Sequence, residues 1–275
     1  MKIQLLLLLM VISSQLVNAS TIEDRVDTTY TKIQNDTVKL VSTYNELNQM
    51  VSQIRFNYVE DKWIENMLTE YGYDSAGNND YAMHYGWDGE WFELAKFHST
   101  FSPTGKETLQ IYERKQKKDA EWEFFIKGVT EYDANDNLSS QTMYDWKNEK
   151  WIPRSRRLDT YNKKSLKTSS TSSVWDTVSN CWQGMETAEY KYDRKRNLTE
   201  EIHSKIENEK IIPQQKTEYT YKGDHLSVAQ YLWDESKWVG LHKIDILRFG
   251  EEFGLVEAAY AWENGRWKKV ASSRF

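Results

Sequence analysis

Three aspartates, Asp74, Asp133 and Asp193, each follow a tyrosine and open a short polar run: YDSAGN, YDANDN and YDRKRN. Two carboxylates held several ångströms apart could serve as acid and base on a glycosidic bond. The single cysteine, Cys181, with a histidine brought close by the fold, could serve as a nucleophile. Histidines at metal-binding spacing could hold a cation, but His84, His98, His203, His225 and His242 include no pair at such a spacing. The twelve tryptophans could stack on sugar rings, since an aromatic with an apolar body and a polar tip suits a wet site.

Each of these candidates recurs with a period, and the period supplies a plainer explanation. Aligned on the aromatic residue before each turn, the chain restarts at Tyr44, Tyr73, Phe101, Tyr132, Tyr161, Tyr192, Tyr221 and Phe249, every 28–31 residues. Asp at the first turn position can bond its own backbone two residues on, and Gly, Asn or Asp near the end tolerates the left-handed conformation of a bulged hairpin turn. The three aspartates are therefore expected to be turn residues. His84 and His203 lie eleven residues after their anchors, in one repeat column four units apart, so no shared metal is expected. Cys181 sits in the link WDTVSNCW with no nucleophile signature around it. Asn137-Leu-Ser139 and Asn197-Leu-Thr199 match a glycosylation acceptor, yet they share one turn column and the repeat accounts for both. No Gly-rich phosphate loop occurs, no catalytic residue is assigned, and neither cofactor nor metal is expected.

Tryptophan follows the same rhythm. Trp63, Trp91, Trp122, Trp151 and Trp182 stand ten residues before an anchor, Ile211 replaces tryptophan in one unit, and Trp238 stands eleven before Phe249. A second tryptophan often precedes the first, giving Trp87/Trp91, Trp146/Trp151, Trp175/Trp182, Trp233/Trp238 and Trp262/Trp267. The links between them (DGE, KNEK, DESK, ENGR) read as second turns, and Asn264-Gly265 is the strongest short hairpin signal. Pairs such as Tyr71/Tyr73, Tyr190/Tyr192 and Tyr219/Tyr221 fall on one strand face. The expectation is an all-β chain: tandem antiparallel β-hairpins, about eight units of some 29 residues, in an extended, twisted or superhelical meander. The alternative is a β-propeller with hairpins joined into four-stranded blades, which would need a 58-residue super-period.

The chain resembles the YD-type tandem hairpin repeats of secreted bacterial proteins, closest in style to small exported repeat proteins of the Bacteroidetes. The resemblance rests on Tyr73-Asp74…Gly77-Asn78, Tyr132-Asp133…Asn137 and Tyr192-Asp193…Asn197, and covers roughly residues 44–275. It implies surface or secreted shells, spacers or binders without known chemistry. The turns at Tyr221-Lys222-Gly223 and Phe249-Gly250-Glu251 depart from the pattern.

MKIQLLLLLMVISSQLVNA has the layout of a signal peptide cleaved after Ala19, leaving residues 20–43 as a partial first repeat and 44–275 as the repeat domain. Its apolar run is too short to span a bilayer. The formal net charge of −6 gives no nucleic-acid footprint. An outer-membrane barrel would need an uncharged lipid face, whereas WIPRSRRLDTY carries Arg157 and Asp159 on one alternating face and Arg154 and Arg156 on the other. The expected role is an exported interaction or structural module in the periplasm, at the cell surface or secreted, with an envelope protein as partner. The alternative is a carbohydrate-binding protein with a glycan partner, using Trp87, Trp146, Trp175, Trp233 and Trp262 as a platform; a glycoside hydrolase is a distant third.

Overall fold

A computed structural model describes residues 25–33, 36–249 and 253–272. The proposed signal peptide, residues 1–19, lies outside them, as does the Gly250-Glu251 turn. Among the described residues every regular element is a β-strand, and every strand register found is antiparallel.

The chain divides into two compact units, one running through Tyr71 and including Gly86–Trp91, the other comprising Gly72–Tyr85 and the residues from Phe92 onward. In the first, β1 (Arg25–Ile33), β2 (Asp36–Tyr44), β3 (Met50–Val59) and β4 (Lys62–Tyr73) pair in sequence order. In the second, β5 (Asn79–Trp87, as far as Tyr85) and β6 (Trp91–Phe101, from Phe92) lead into β7 (Glu107–Arg114), β8 (Glu123–Tyr132), β9 (Leu138–Lys147), β10 (Lys150–Tyr161), β11 (Lys167–Asp176), β12 (Cys181–Tyr192), β13 (Leu198–Glu207), β14 (Lys210–Lys222), β15 (His225–Asp234), β16 (Lys237–Phe249), β17 (Phe253–Glu263) and β18 (Arg266–Ser272). From β6 to β18 each strand pairs with the next without a break. A propeller would interrupt this ladder after every fourth strand. The meander is the architecture, and the propeller alternative is not.

Two turn types alternate. After the anchors Tyr44, Tyr73, Phe101, Tyr132, Tyr161 and Tyr192 the chain makes one five-residue turn six times over. In it Asp74 Oδ1 accepts from the amides of Ala76 and Asn78, both at 2.9 Å, and Asn78 Nδ2 donates to Asp74 Oδ2 at 2.8 Å. Asp133 and Asp193 repeat this arrangement with Asn137 and Asn197. Asn45, Ser102 and Asn162 supply the same acceptor from an amide or hydroxyl oxygen. The fourth residue after each anchor (Asn48, Gly77, Gly105, Asp136, Ser165, Arg196) is left-handed, with φ between 57° and 85°. Tyr221 departs as expected: β14 runs on to Lys222, which pairs with His225 across the two-residue turn Gly223-Asp224.

The tryptophan-side turns are tighter. Glu60-Asp61, Asn148-Glu149, Asn208-Glu209 and Asn264-Gly265 have positive φ at both central residues, the two-residue geometry that matches strand twist.

A bulge follows the tryptophan position at a fixed offset of three: Asn66, Phe125, Arg154, Met185, Gln214, Leu241 and Val270 are the extra residues. An extra residue shifts the alternation by one. The ten-residue step from tryptophan to anchor would otherwise put both on one face. With the bulge, in Trp151–Tyr161 and Trp182–Tyr192, they point to opposite faces, giving a tryptophan face and a tyrosine face.

No thick apolar core forms among the described residues. The buried hydrophobic residues are Val38, Ala82, Met83, Ala95, Ala188, Ala229 and Ala258. Small side chains line the strand centres and the aromatic rings stand half-buried around them.

Glutamate in a left-handed turn carries a backbone cost of about 1–2 kcal/mol that glycine avoids, partly offset by the entropy of glycine in the unfolded chain. Glu149→Gly (φ 60° at Glu149) should therefore stabilise by up to about 1 kcal/mol. Thermal unfolding followed by circular dichroism checks this; an unchanged or lowered midpoint sinks the strain argument.

Candidate functional site

The tryptophan pairs occupy directly opposite positions across their hairpins, as the registers of Trp146 with Trp151, Trp175 with Trp182, Trp233 with Trp238 and Trp262 with Trp267 show. Ring centroids lie 4.8–5.1 Å apart at 61–75°, an edge-to-face packing that includes Trp87 with Trp91. Such pairs add about 0.5–1.5 kcal/mol beyond area burial. Trp63, which has no tryptophan partner, stands opposite Tyr58 at 4.9 Å.

The five proposed platform residues, Trp87, Trp146, Trp175, Trp233 and Trp262, are thus each engaged by a partner ring. All twelve tryptophans are half-buried, and the first members of the pairs are as covered as the second. The rings neither sink into a core nor stand free on the surface.

A cation reaches over the next hairpin's tryptophan. Lys39 lies over Phe56 at 3.9 Å and Trp63 at 5.6 Å; Lys127 lies over Tyr144 at 4.4 Å and Trp151 at 5.0 Å. Arg156 covers Trp182 at 4.5 Å, Lys216 covers Tyr231 at 4.5 Å and Trp238 at 5.3 Å, and Lys96 covers Trp122 at 4.5 Å. Each of these cations stands five residues before its anchor, an odd step that places it on the tryptophan face. The signal was therefore in the sequence, at a fixed column. It is strongest where it lapses. The hairpin with Ile206 opposite Ile211 is preceded by Thr187 at the cation position. Leu68 holds the same column before the Trp87–Trp91 hairpin and Ile244 before the Trp262–Trp267 hairpin, so the rule has two exceptions in the other direction.

Glycine makes room for the rings. A Cβ on Gly240 would lie 2.4 Å from the Trp262 ring and 2.7 Å from that of Trp267, and one on Gly184 would lie 2.9 Å from Ile206. Both glycines stand two residues after a tryptophan. Close by, the Trp267 indole N–H donates to the Tyr231 hydroxyl at 3.1 Å, and that hydroxyl donates to Glu218 at 2.8 Å. One repeat on, the Tyr260 hydroxyl donates to Asp245 at 2.5 Å, which with burial pushes the phenol up to about 12.

The other chemical candidates do not assemble. Asp133 and Asp193 lie at turns four strand spacings apart, about 19 Å, beyond the roughly 5–10 Å that a pair of glycosidase carboxylates spans. Hydrogen bonds from Asn78, Asn137 and Asn197 and from turn amides hold Asp74, Asp133 and Asp193 below the usual carboxylate range. His84 packs edge-on to Phe97 at 5.2 Å, and burial lowers its pKa. His203 meets Glu201 at 2.6 Å, and Cys181 opens β12 exposed. On the tyrosine face the Asp159 side chain is fully covered and takes Lys167 at 2.6 Å and Arg157 at 2.9 Å. Burial alone would raise its pKa; the contacts with Lys167, Ser170 and Arg157 outweigh that and lower it. Among the described residues no three metal-ligating side chains gather. A shallow recess beside Trp122 is lined by Gln116, Lys117, Ala120, Glu121 and Glu123.

No protein-family model matches the chain, and no curated protein matches it. Among solved structures it is similar to a protein of unknown function from Bacteroides fragilis NCTC 9343, with 15% identity over 45% of this chain and 91% of that one and a TM-score of 0.37. It is also similar to a porin-like protein from Bacteroides uniformis ATCC 8492, with 10% identity, 84% and 95% coverage and a TM-score of 0.35. The TcdB2-TccC3-Cdc42 structure aligns with 87% of this chain and 17% of its own, at 12% identity and a TM-score of 0.32.

Two outcomes follow from this geometry. Gly240→Ala should destabilise by about 1–3 kcal/mol, because the added methyl overpacks against two indoles, and should weaken the exciton signal of the tryptophan pairs in circular dichroism; an unperturbed spectrum and melting point would refute the close packing. For the turns, a carboxylate depressed in the folded state stabilises above its unfolded pKa and loses that contribution as pH falls through its folded pKa. Stability should therefore drop on acidification below about pH 4. Asp193→Asn, which keeps the acceptor that Asn45 and Asn162 already use, should flatten that drop. An equally steep acid limb in the variant would show that the turn aspartates do not drive it.

Proposed function

We propose that the chain is an exported, non-catalytic repeat module of the cell envelope, of the YD-type hairpin kind, serving a structural or interaction role. One observation carries the reading: the residue types that could do chemistry are taken up by the repeat itself. The turn aspartates bond their own backbones, the tryptophans pair across hairpins, and the cations cover those pairs. Export is inferred from the leader-like residues 1–19.

The test is fractionation of the full chain expressed in a Gram-negative host, with N-terminal sequencing. Maturation at Ser20 and recovery with the envelope are expected; an uncleaved cytosolic product would overturn the localisation. Hydrolysis of a polysaccharide that is lost in the Asp74→Asn, Asp133→Asn, Asp193→Asn triple variant would overturn the non-catalytic reading.

A second reading, a carbohydrate-binding protein, is favoured by the half-exposure of every tryptophan. Paired rings at the strand ends keep part of their surface in solvent while their stacking fixes them in place.

A further inference from the structure

The tryptophan face does not have the same charge along its length. From β14 to β17 its cations have acidic neighbours: Lys216 pairs with Glu218 at 2.6 Å, and Lys243 adjoins Asp245. Earlier, Lys96 pairs with Glu113 at 3.2 Å. Between β8 and β12 the pattern changes. Lys127 and Arg156 have no ion-pair partner among the described residues, and Arg156 Nε is buried without an acceptor. Their direct register partners are neutral, with Ile111 facing Lys127 from β7. Lys127 faces Tyr144, and Arg156 faces Thr142 on one side and Ser173 on the other. Phe124, Trp146 and Trp151 form a mutually packed cluster at 5.0–5.5 Å beside Lys127, and Trp182, itself paired with Trp175, underlies Arg156.

This arrangement carries cost without an internal return. Resting a guanidinium on an indole near solvent is a modest gain. An unpaired donor buried beneath it forfeits a comparable or larger amount. On a chain with net charge −6, Lys127 and Arg156 are the two cations of the second unit that cover a tryptophan without an ion pair among the described residues; in the first unit Lys39 does the same. From strand spacing and rise Lys127 and Arg156 lie about 12 Å apart, bracketed by rings on the hairpin side, while Thr142 and Ser173 beside Arg156 are buried. Rings take the apolar faces of sugars, and a guanidinium takes a carboxylate in two parallel hydrogen bonds.

We infer that the tryptophan face between β8 and β12 binds an anionic polysaccharide through carboxylates, with Arg156 and Lys127 as the charge-reading residues and Trp146, Trp151 and Trp182 as the platform. The inference rests on the carbohydrate-binding reading and adds the ligand's charge and the place where it is read.

The experiment is isothermal titration of the mature chain, residues 20–275, against polygalacturonate, heparin and neutral dextran, in wild type and in Lys127→Gln/Arg156→Gln. Circular dichroism would confirm that the variant keeps its tryptophan exciton signal. Expected are saturable binding to polygalacturonate that weakens with added salt, no binding to dextran, and at least a tenfold loss of affinity in the variant. Should the double variant lose its fold, Arg156→Lys serves instead: it keeps the charge but loses the two-pronged contact, and should still weaken binding severalfold. Binding to heparin alone would overturn the carboxylate assignment. Dextran binding equal to polygalacturonate binding, or affinity indifferent to both variants, would overturn the charge reading while leaving a neutral glycan platform in place. No binding to any of the three would overturn the inference and leave the structural module standing.

Discussion

An indole ring standing at the end of a β-hairpin, edge-on to its partner and covered by a cation from the strand before, is the contact on which the rest depends. A sheet stabilised chiefly by strand neighbours cannot draw on apolar layers packed face to face. In this chain the buried hydrophobic positions are mostly alanine, and among the described residues no buried cluster of leucine, isoleucine or phenylalanine replaces the missing layer. The apolar area removed from water is instead distributed over rings that each lose part of their exposure. Edge-to-face pairing and cation contact each bring about a kilocalorie, and repetition supplies the sum.

That contact requires two further devices. The bulge three residues after the tryptophan turns the second half of the strand over, so that the anchor tyrosine and the tryptophan do not compete for one face. Two aromatic populations are thereby separated. Glycine at 184 and 240 then lets the following hairpin's side chains lie against the backbone. The five-residue turn at the opposite strand ends is a self-contained unit: its first side chain satisfies the amides that the turn leaves unpaired, so its sequence is free to vary between Asp, Asn and Ser as long as an oxygen is present.

The hairpin repeat, its anchors and its turns were legible because each is local. Tyr73-Asp74…Gly77-Asn78 states its turn in five consecutive residues, and Asn264-Gly265 states its own in two. The pairing of Trp146 with Trp151 was legible for the same reason. The facing of the tryptophans was not. Counting by twos from Trp151 to Tyr161 gives the wrong face, because the extra residue, Arg154, carries no mark of its type: the bulge column also holds Asn66, Phe125, Met185, Gln214, Leu241 and Val270. The cation column escaped because Lys127 and Trp151 lie 24 residues apart on different hairpins, and lysine in a charged sequence draws no notice. Only a joint replacement, Ile211 where a tryptophan is expected and Thr187 where a cation is expected, marks the two positions as one interaction.

That replacement also says something about descent. Residues 187 and 211 belong to successive repeats, yet they depart from the pattern together. The element under joint constraint straddles the boundary between repeats and is offset from the 29-residue period. A repeat copied or lost by recombination therefore carries half of one contact and half of another. Newly juxtaposed neighbours keep the contact only where they match across the junction, a cation meeting an indole or a small polar residue meeting an aliphatic one. Growth or shrinkage of such an array is thus filtered at its seams, and mismatched seams such as Leu68 before Trp91 are where the trace of an earlier rearrangement would be sought.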